Sequence, residues 1–300
     1  MKKVFFICLA VALAATTVFI GCKKVETKES YLDINKVKTD LSKINDKYKH
    51  VNVNSTSRNG HSLNNSNNFN WKRFCGILAA DVVGGYEGCE AGILVGGGIG
   101  GPHGAVVGGI GGGIIVGCSA SYGASKKTIS NNGISIESIK NINIDIPNEG
   151  NNPFDDVGKR HNEILKQLYV NNIDNSNLDA SFLYSNCTLN DPENSFLKND
   201  NNFTNNTTKY FIENTINIEN LEASINYIKL NSKDEVTAQI ILCYFDGILN
   251  LENVDDGVKI AYEYENYFNN EDLLSDSQKQ ILFEALSIAK YSTRFWESIL

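Results

Sequence analysis

His161 is the histidine best placed to do chemistry in this sequence, with Asp155, Asp156 and Glu163 close by in the chain. A histidine beside carboxylates suits general acid–base work or metal ligation. The spacing matches neither HExxH nor any comparable metal-binding pattern. The residue is therefore read as a structural histidine, buried and bonded to a neighbour. The other histidines, His50, His61 and His103, fall in a tail, a linker and a turn. Past residue 22 the cysteines are Cys75, Cys89, Cys118, Cys187 and Cys243, an odd number without metal-type spacing. Gly96-x-Gly98-x-x-Gly101 fits the dinucleotide fingerprint by its letters, but it continues a helical pattern and no βαβ unit surrounds it. There is no GxSxG elbow, P-loop or zinc-protease motif. The expectation is no metal, no cofactor and no catalytic residues. An enzyme centred on His161 is kept as a second alternative.

The stretch that must position everything else runs from Gly84 to Gly117. Glycine recurs every fourth residue at Gly84, Gly88, Gly92, Gly96, Gly100, Gly104, Gly108 and Gly112. A second register holds Gly97, Gly101, Gly109, Gly113 and Gly117. Four-residue spacing draws a stripe along one face of a helix, where a missing side chain admits another backbone. Glycine costs a helix about 1 kcal/mol against alanine, so close packing or a membrane must compensate. Gly100-Gly101-Pro102-His103-Gly104 reads as a turn. The prediction is a glycine-zipper helical hairpin over 71–125, with arms near Trp71–Ile99 and Gly104–Ser125.

No Asp, Glu, Lys or Arg occurs from Ala91 to Ser125, and the second arm is long enough to cross a bilayer core. The first arm carries Asp81, Glu87 and Glu90, which are costly near a bilayer centre. The hairpin therefore either enters lipid or oligomerises, or it packs on itself and on the following domain. Cys89 and Cys118 lie at matching distances from the turn, so antiparallel arms bring them to one height. A disulfide there and two small apolar contacts are the competing readings.

Lys2 and Lys3 precede an uncharged apolar run, Val4 to Ile20, which ends Val18-Phe19-Ile20-Gly21-Cys22. Residues 1–21 read as a signal peptide. The ending resembles the lipobox of bacterial lipoproteins. That resemblance implies cleavage before Cys22 and acyl chains, palmitate among them, on its sulfur and amine. The expected partners are the membrane through this anchor, and a second copy or another protein. The expected location is outside the cytoplasm, at the outer membrane, with the side left open.

Residues 22–70 read as a flexible stalk containing one amphipathic helix, Tyr31 to Tyr48, with Val37, Leu41, Ile44 and Tyr48 on a stripe. An Asn/Ser-rich linker runs from Asn52 to Asn70. From Lys23 to Cys75 eleven Lys/Arg stand against five Asp/Glu, whereas the whole chain is at −8. The remaining body is thus strongly acidic, which argues against nucleic acid as a partner.

Residues 126–150 read as a connector, with Ile134, Ile136, Ile142, Ile144 and Ile146 at mostly alternating positions, as in a short strand or extended segment. Residues 151–300 read as one α-helical domain. Asn152 caps its first helix and Pro153 opens it, with Val157, His161, Ile164, Leu165 and Leu168 on the apolar side. Asp174 to Thr208 reads as irregular. Four helices come after it: Glu219 to Leu230, one capped by Ser232 and Glu235, one from Asp255, and one capped by Ser275 and Gln278. The fold class is mainly α.

Asn152-Pro153-Phe154-Asp155-Asp156-Val157-Gly158 with His161-Asn162, and the ending Ala289-Lys290-Tyr291-Ser292 with Phe295-Trp296, resemble uncharacterised lipoproteins of the Bacteroidetes group. The resemblance spans about Trp71 to Trp296. It implies a glycine-rich hairpin ahead of the motif and an outer-membrane or surface location, and it implies no activity. The leading functional reading is a non-enzymatic membrane-anchored lipoprotein whose hairpin inserts or self-assembles. The first alternative is a surface or periplasmic interaction module with a purely structural hairpin.

Overall fold

The computed structural model describes residues 28–49, 71–131, 135–144, 146, 151–172, 183, 221–249, 251 and 253–300. The signal segment, Cys22, the Asn/Ser linker, nearly all of 174–208 and Cys187 lie outside the described residues. Among the described residues the chain is mainly α, with eight helices and no strand. They are α1 Lys28–Tyr48, α2 Trp71–Asn131, α3 Ile136–Lys140, α4 Asp155–Val170, α5 Leu221–Asn231, α6 Glu235–Leu249, α7 Val254–Asn269 and α8 Asp276–Ile299. Two units separate at residue 37. In the first, described residues 28–37 form helix alone. The second, residues 38–300, is the body of the protein.

The α2 helix is two arms joined at Gly101, whose φ of 63° and ψ of −150° are non-helical. Only glycine takes that conformation without strain. Pro102 then starts the second arm, where its missing amide is not needed as it would be at an interior position. The arms fold back on one another at backbone contact. A Cβ on Gly88 would lie 2.2 Å from the Gly112 carbonyl oxygen, one on Gly92 1.9 Å from that of Gly108, and one on Gly96 2.0 Å from that of Gly104. Gly84 faces Val116 and Gly117 in the same way.

The second glycine register serves a different neighbour. Gly109, Gly113 and Gly117 face Gln280, Glu284 and Ile288, a four-residue stripe on α8. Gly85 also meets Ile288, so α8 lies along the groove between the arms. On its other side α8 takes α4, where the Gly158 backbone lies against the Ser287 carbonyl. Gly158 donates its amide to Ser287 Oγ at 2.8 Å, and that hydroxyl donates to the Asp155 carbonyl at 2.8 Å. Sixteen of the twenty-four residues of α8 are buried, from Gln280 to Trp296. It is a core helix with little solvent-exposed surface, and several of its buried side chains are polar.

Several boundaries differ from the sequence reading. The second arm continues past Ser125 to Asn131. The 22–70 stalk loses its end to the body, because Leu41 and Ile44 are buried and Asn45 is a buried anchor. Asn45 donates to the Cys243 carbonyl at 2.8 Å and accepts from Tyr264 at 3.1 Å. The connector contains the short helix α3, capped by Ser135, in place of a strand. Beyond it, Ile144 and Ile146 pack on Val258, Tyr262 and Tyr291. Helix α4 starts at Asp155, two residues later than expected, because the Asn152 side chain turns Pro153 and Phe154 into its lead-in. Asp234 caps α6 in place of Ser232, accepting from Thr237 N at 3.0 Å. The capping box of α8 forms from Ser275 and Gln278.

Candidate functional site: polar groups buried around the glycine arms

Three polar clusters are enclosed in the body, two where α2 meets the surrounding helices and one between α4, α7 and α8. The first is centred on Asp81, fully buried in the first arm, which accepts from Trp296 Nε1 at 2.8 Å. Burial pushes its carboxyl above the usual range, and the opposing influence comes first from His161, then from Ser121, Trp296 and Ser292. These side chains come from both arms, α4 and α8. Asp81 Oδ1, Ser121 Oγ, Ser292 Oγ and His161 Nε2 have no hydrogen-bond partner among the described residues.

An acid, an imidazole and two hydroxyls have the composition of a nucleophilic triad, but their bonds do not run in series. A triad needs the acid on one imidazole nitrogen and the hydroxyl on the other. Here His161 Nδ1 is paired with Asn162 Oδ1 at 3.0 Å, and Nε2 bonds neither hydroxyl. His161, Ser121 and Ser292 are fully buried. The described geometry joins helices and presents no nucleophile to a substrate. Asp156 and Glu163 take no part in it, since both are exposed.

The second cluster is a buried ion pair network. Lys290, 1% exposed, donates to Asp155 Oδ1 at 2.5 Å and to Glu265 at 2.9 Å. Its ammonium also lies 4.4 Å from the Tyr262 ring centre. Asn152 donates to Glu265 at 2.6 Å and to the Phe283 carbonyl at 2.8 Å, and Tyr291 donates to Asp155. Asn152, Asp155, Gly158, Lys290 and Tyr291 thus tie α4, α7 and α8 together. These motif residues of the sequence are helix-joining residues here. One cation shared by two carboxylates, themselves held by further donors, is the arrangement that a buried charge requires.

The third cluster lies along the glycine stripes. Glu284 is fully buried, accepts from Gln280 at 2.8 Å and faces the Cys89 thiol. Gln280 reaches on to the Val106 carbonyl at 2.9 Å. Burial pushes the Glu284 carboxyl up to about 8. Glu87 is likewise pushed up to about 8, first by burial and then by Glu90, against Lys233. Glu90 accepts the Lys233 amide with both oxygens, at 3.1 and 3.2 Å.

Seven of the eight glycines assigned to zipper packing stand at helix contacts: Gly84, Gly88, Gly92, Gly96, Gly104, Gly108 and Gly112. Gly100 does not, since a Cβ there would meet nothing within 4 Å. It lies beside the turn, past the last contact between the arms. Cys89 and Cys118 form no disulfide and have separate partners. Cys118 donates to the His161 carbonyl at 3.2 Å while Cys89 faces Glu284. The expected common height is not found: Gly88 pairs with Gly112 and Gly84 with Val116, so Cys118 lies about seven residues, roughly 10 Å, further along the arm than the level of Cys89. Among the described residues no group of three or more metal-ligating side chains converges.

Sequence reasoning passed over Lys290, Glu265, Glu284 and Gln280 as functional or structural centres. Their signal is a charged or amide side chain within an apolar stripe, such as Glu284 between Ile281 and Ile288.

An open cavity of about 550 Å³ lies beside the turn, where Pro102 and Val106 face Phe154 and Phe283. Its rim carries Lys279 and Asp276, which offset one another. Comparison with family models, curated proteins and solved structures finds no match to this chain.

Proposed function

We propose that this chain is a non-enzymatic lipoprotein of a bacterial envelope, held by lipid on Cys22, whose glycine arms form the internal spine of a helical protein-binding body. The observation that carries the reading is the covering of α2. Among the described residues it is the one helix apolar and long enough to cross a membrane, yet 83% of its most apolar window is buried inside the protein. The side chains that lipid would solvate, Ile114, Ile115 and Val116, already pack against the chain's own helices. The three arm carboxylates find donors or burial there, whereas in lipid each would cost about 2.5–3.5 kcal/mol or more. Membrane attachment then falls to the lipid on Cys22, as the lipobox resemblance implies. The acidic body disfavours nucleic acid, and protein is the partner class taken here.

Vesicle flotation tests the reading. The lipidated chain floats, whereas the mature chain with Cys22→Ser stays at the bottom of the gradient. Flotation of the Cys22→Ser chain, lost on deleting residues 71–125, contradicts the internal spine and returns the arms to the bilayer.

A further inference from the structure

The stripe of Gly109, Gly113 and Gly117 has a next member, and it is not glycine. Gly109 faces Gln280, Gly113 faces Glu284 and Gly117 faces Ile288. One turn further along both helices stand Ser121 and Ser292, each fully buried. Asp81 of the first arm reaches the same level, because Gly84 pairs with Val116 and Gly117. His161 arrives from α4, with its Cδ2 3.1 Å from where a Gly117 Cβ would lie, and Nε2 is the next atom of the ring. His161, Ser121 and Ser292 all act on the Asp81 carboxyl, so the four side chains surround one place. Asp81 Oδ1, Ser121 Oγ, Ser292 Oγ and His161 Nε2 are each without a hydrogen-bond partner among the described residues. Four such atoms together in a core call for a bound molecule that pairs with them.

We propose that these four atoms bind one internal water molecule, which joins both arms of α2 to α4 and α8. The hydrogen bonds count out. Water offers two donors and two acceptor lone pairs. Asn162 Oδ1 only accepts, so His161 Nδ1 carries the proton of that bond and Nε2 is an acceptor in the neutral ring. Asp81 Oδ1 is the second acceptor, since Trp296 donates to Oδ2. The two serine hydroxyls are the donors. A hydroxyl can also turn to accept, so the count closes equally when Asp81 carries a proton. Buried waters ordinarily make about three such bonds, and this place offers a full set. Other small occupants fit less well. An anion would meet the Asp81 carboxyl. A divalent metal needs more ligands than Asp81 and His161 supply, and no group of three metal-ligating side chains converges among the described residues. The water is a linker and not a reagent, because every side chain that holds it is enclosed.

A crystal structure of the mature Cys22→Ser chain, grown without ammonium salts and at a resolution that shows ordered water, tests the proposal. The expected result is one density peak about 2.7–3.2 Å from at least three of the four atoms. Contacts of about 2.0–2.5 Å would make the occupant a metal ion and overturn the proposal. Direct hydrogen bonds from Ser121 and Ser292 to Asp81 with no peak between them would overturn it as well, and so would a protein side chain in that place. Oxygen-17 relaxation dispersion gives a second reading in solution, by counting the waters that stay in the protein for longer than its tumbling time. Ser121→Ala with Ser292→Ala is expected to lower that count by one, with circular dichroism showing the helices intact. An unchanged count in the folded variant overturns the water, and the crystal decides by itself where the variant does not fold.

Discussion

Gly92 and Gly98 are six residues apart on one arm and have opposite surroundings. A Cβ on Gly92 would lie 1.9 Å from the Gly108 carbonyl oxygen, whereas one on Gly98 would meet nothing within 4 Å. The same residue type therefore does two jobs. In the interior glycine is required by contact, and at the tip only Gly101 is required, by its positive φ. The difference shows that glycine frequency alone does not locate the packing. The partner of each glycine does.

The largest way to break this comparison is Gly92→Leu. The arms must separate to admit the side chain, and α8 loses the groove that holds it. The expected loss is about 3 kcal/mol or more, or failure to fold. Chemical denaturation measures it, and a loss below about 1 kcal/mol would show that the arms slide apart freely.

A second effect depends on pH. Glu284 is held at about 8 against an ordinary 4.5, so the folded chain keeps a proton that the unfolded chain releases. Stability from this group is complete below about 4.5 and declines as pH rises toward 8, by about 1.4 kcal/mol per unit at most. Glu87, also raised to about 8, adds a decline of the same sign. Glu284→Gln is expected to flatten the slope between about pH 5 and 8 by about one proton. Urea midpoints across that range are the measurement, and an unchanged slope would place the titration elsewhere.

The smallest effect sharpens the comparison from the other side. Gly98→Ala is expected to stabilise the chain by about 0.5–1 kcal/mol, because it restrains a helical position and touches nothing. Thermal denaturation reads the gain, and a loss would show that the tip packs on something.

Much of this fold is legible in the residues. Spacing of four marks the stripes, Gly-Gly-Pro marks the turn, and Ser275 with Gln278 marks the start of α8. What spacing leaves out is the partner. The Gly109, Gly113 and Gly117 register looks like part of the zipper and instead receives Gln280, Glu284 and Ile288 from a helix far along the chain. Asp81 reads as an expensive charge in a membrane arm until Trp296 comes to meet it. Asn152 reads as a cap and is also the donor to Glu265, over a hundred residues on. Such pairs depend on long-range packing, which local pattern does not encode. The enclosed Asp81, His161, Ser121 and Ser292 group is equally invisible in sequence, since its members come from four separate helical segments.

The most direct test of the central claim, that the glycine arms are an internal spine, is backbone hydrogen exchange on the Cys22→Ser chain with and without vesicles. Amides of residues 85–95 and 105–118 should be among the slowest to exchange in plain buffer, with protection unchanged when vesicles are added. Rapid exchange in buffer that becomes slow only on vesicles would contradict the account and make these arms a membrane element.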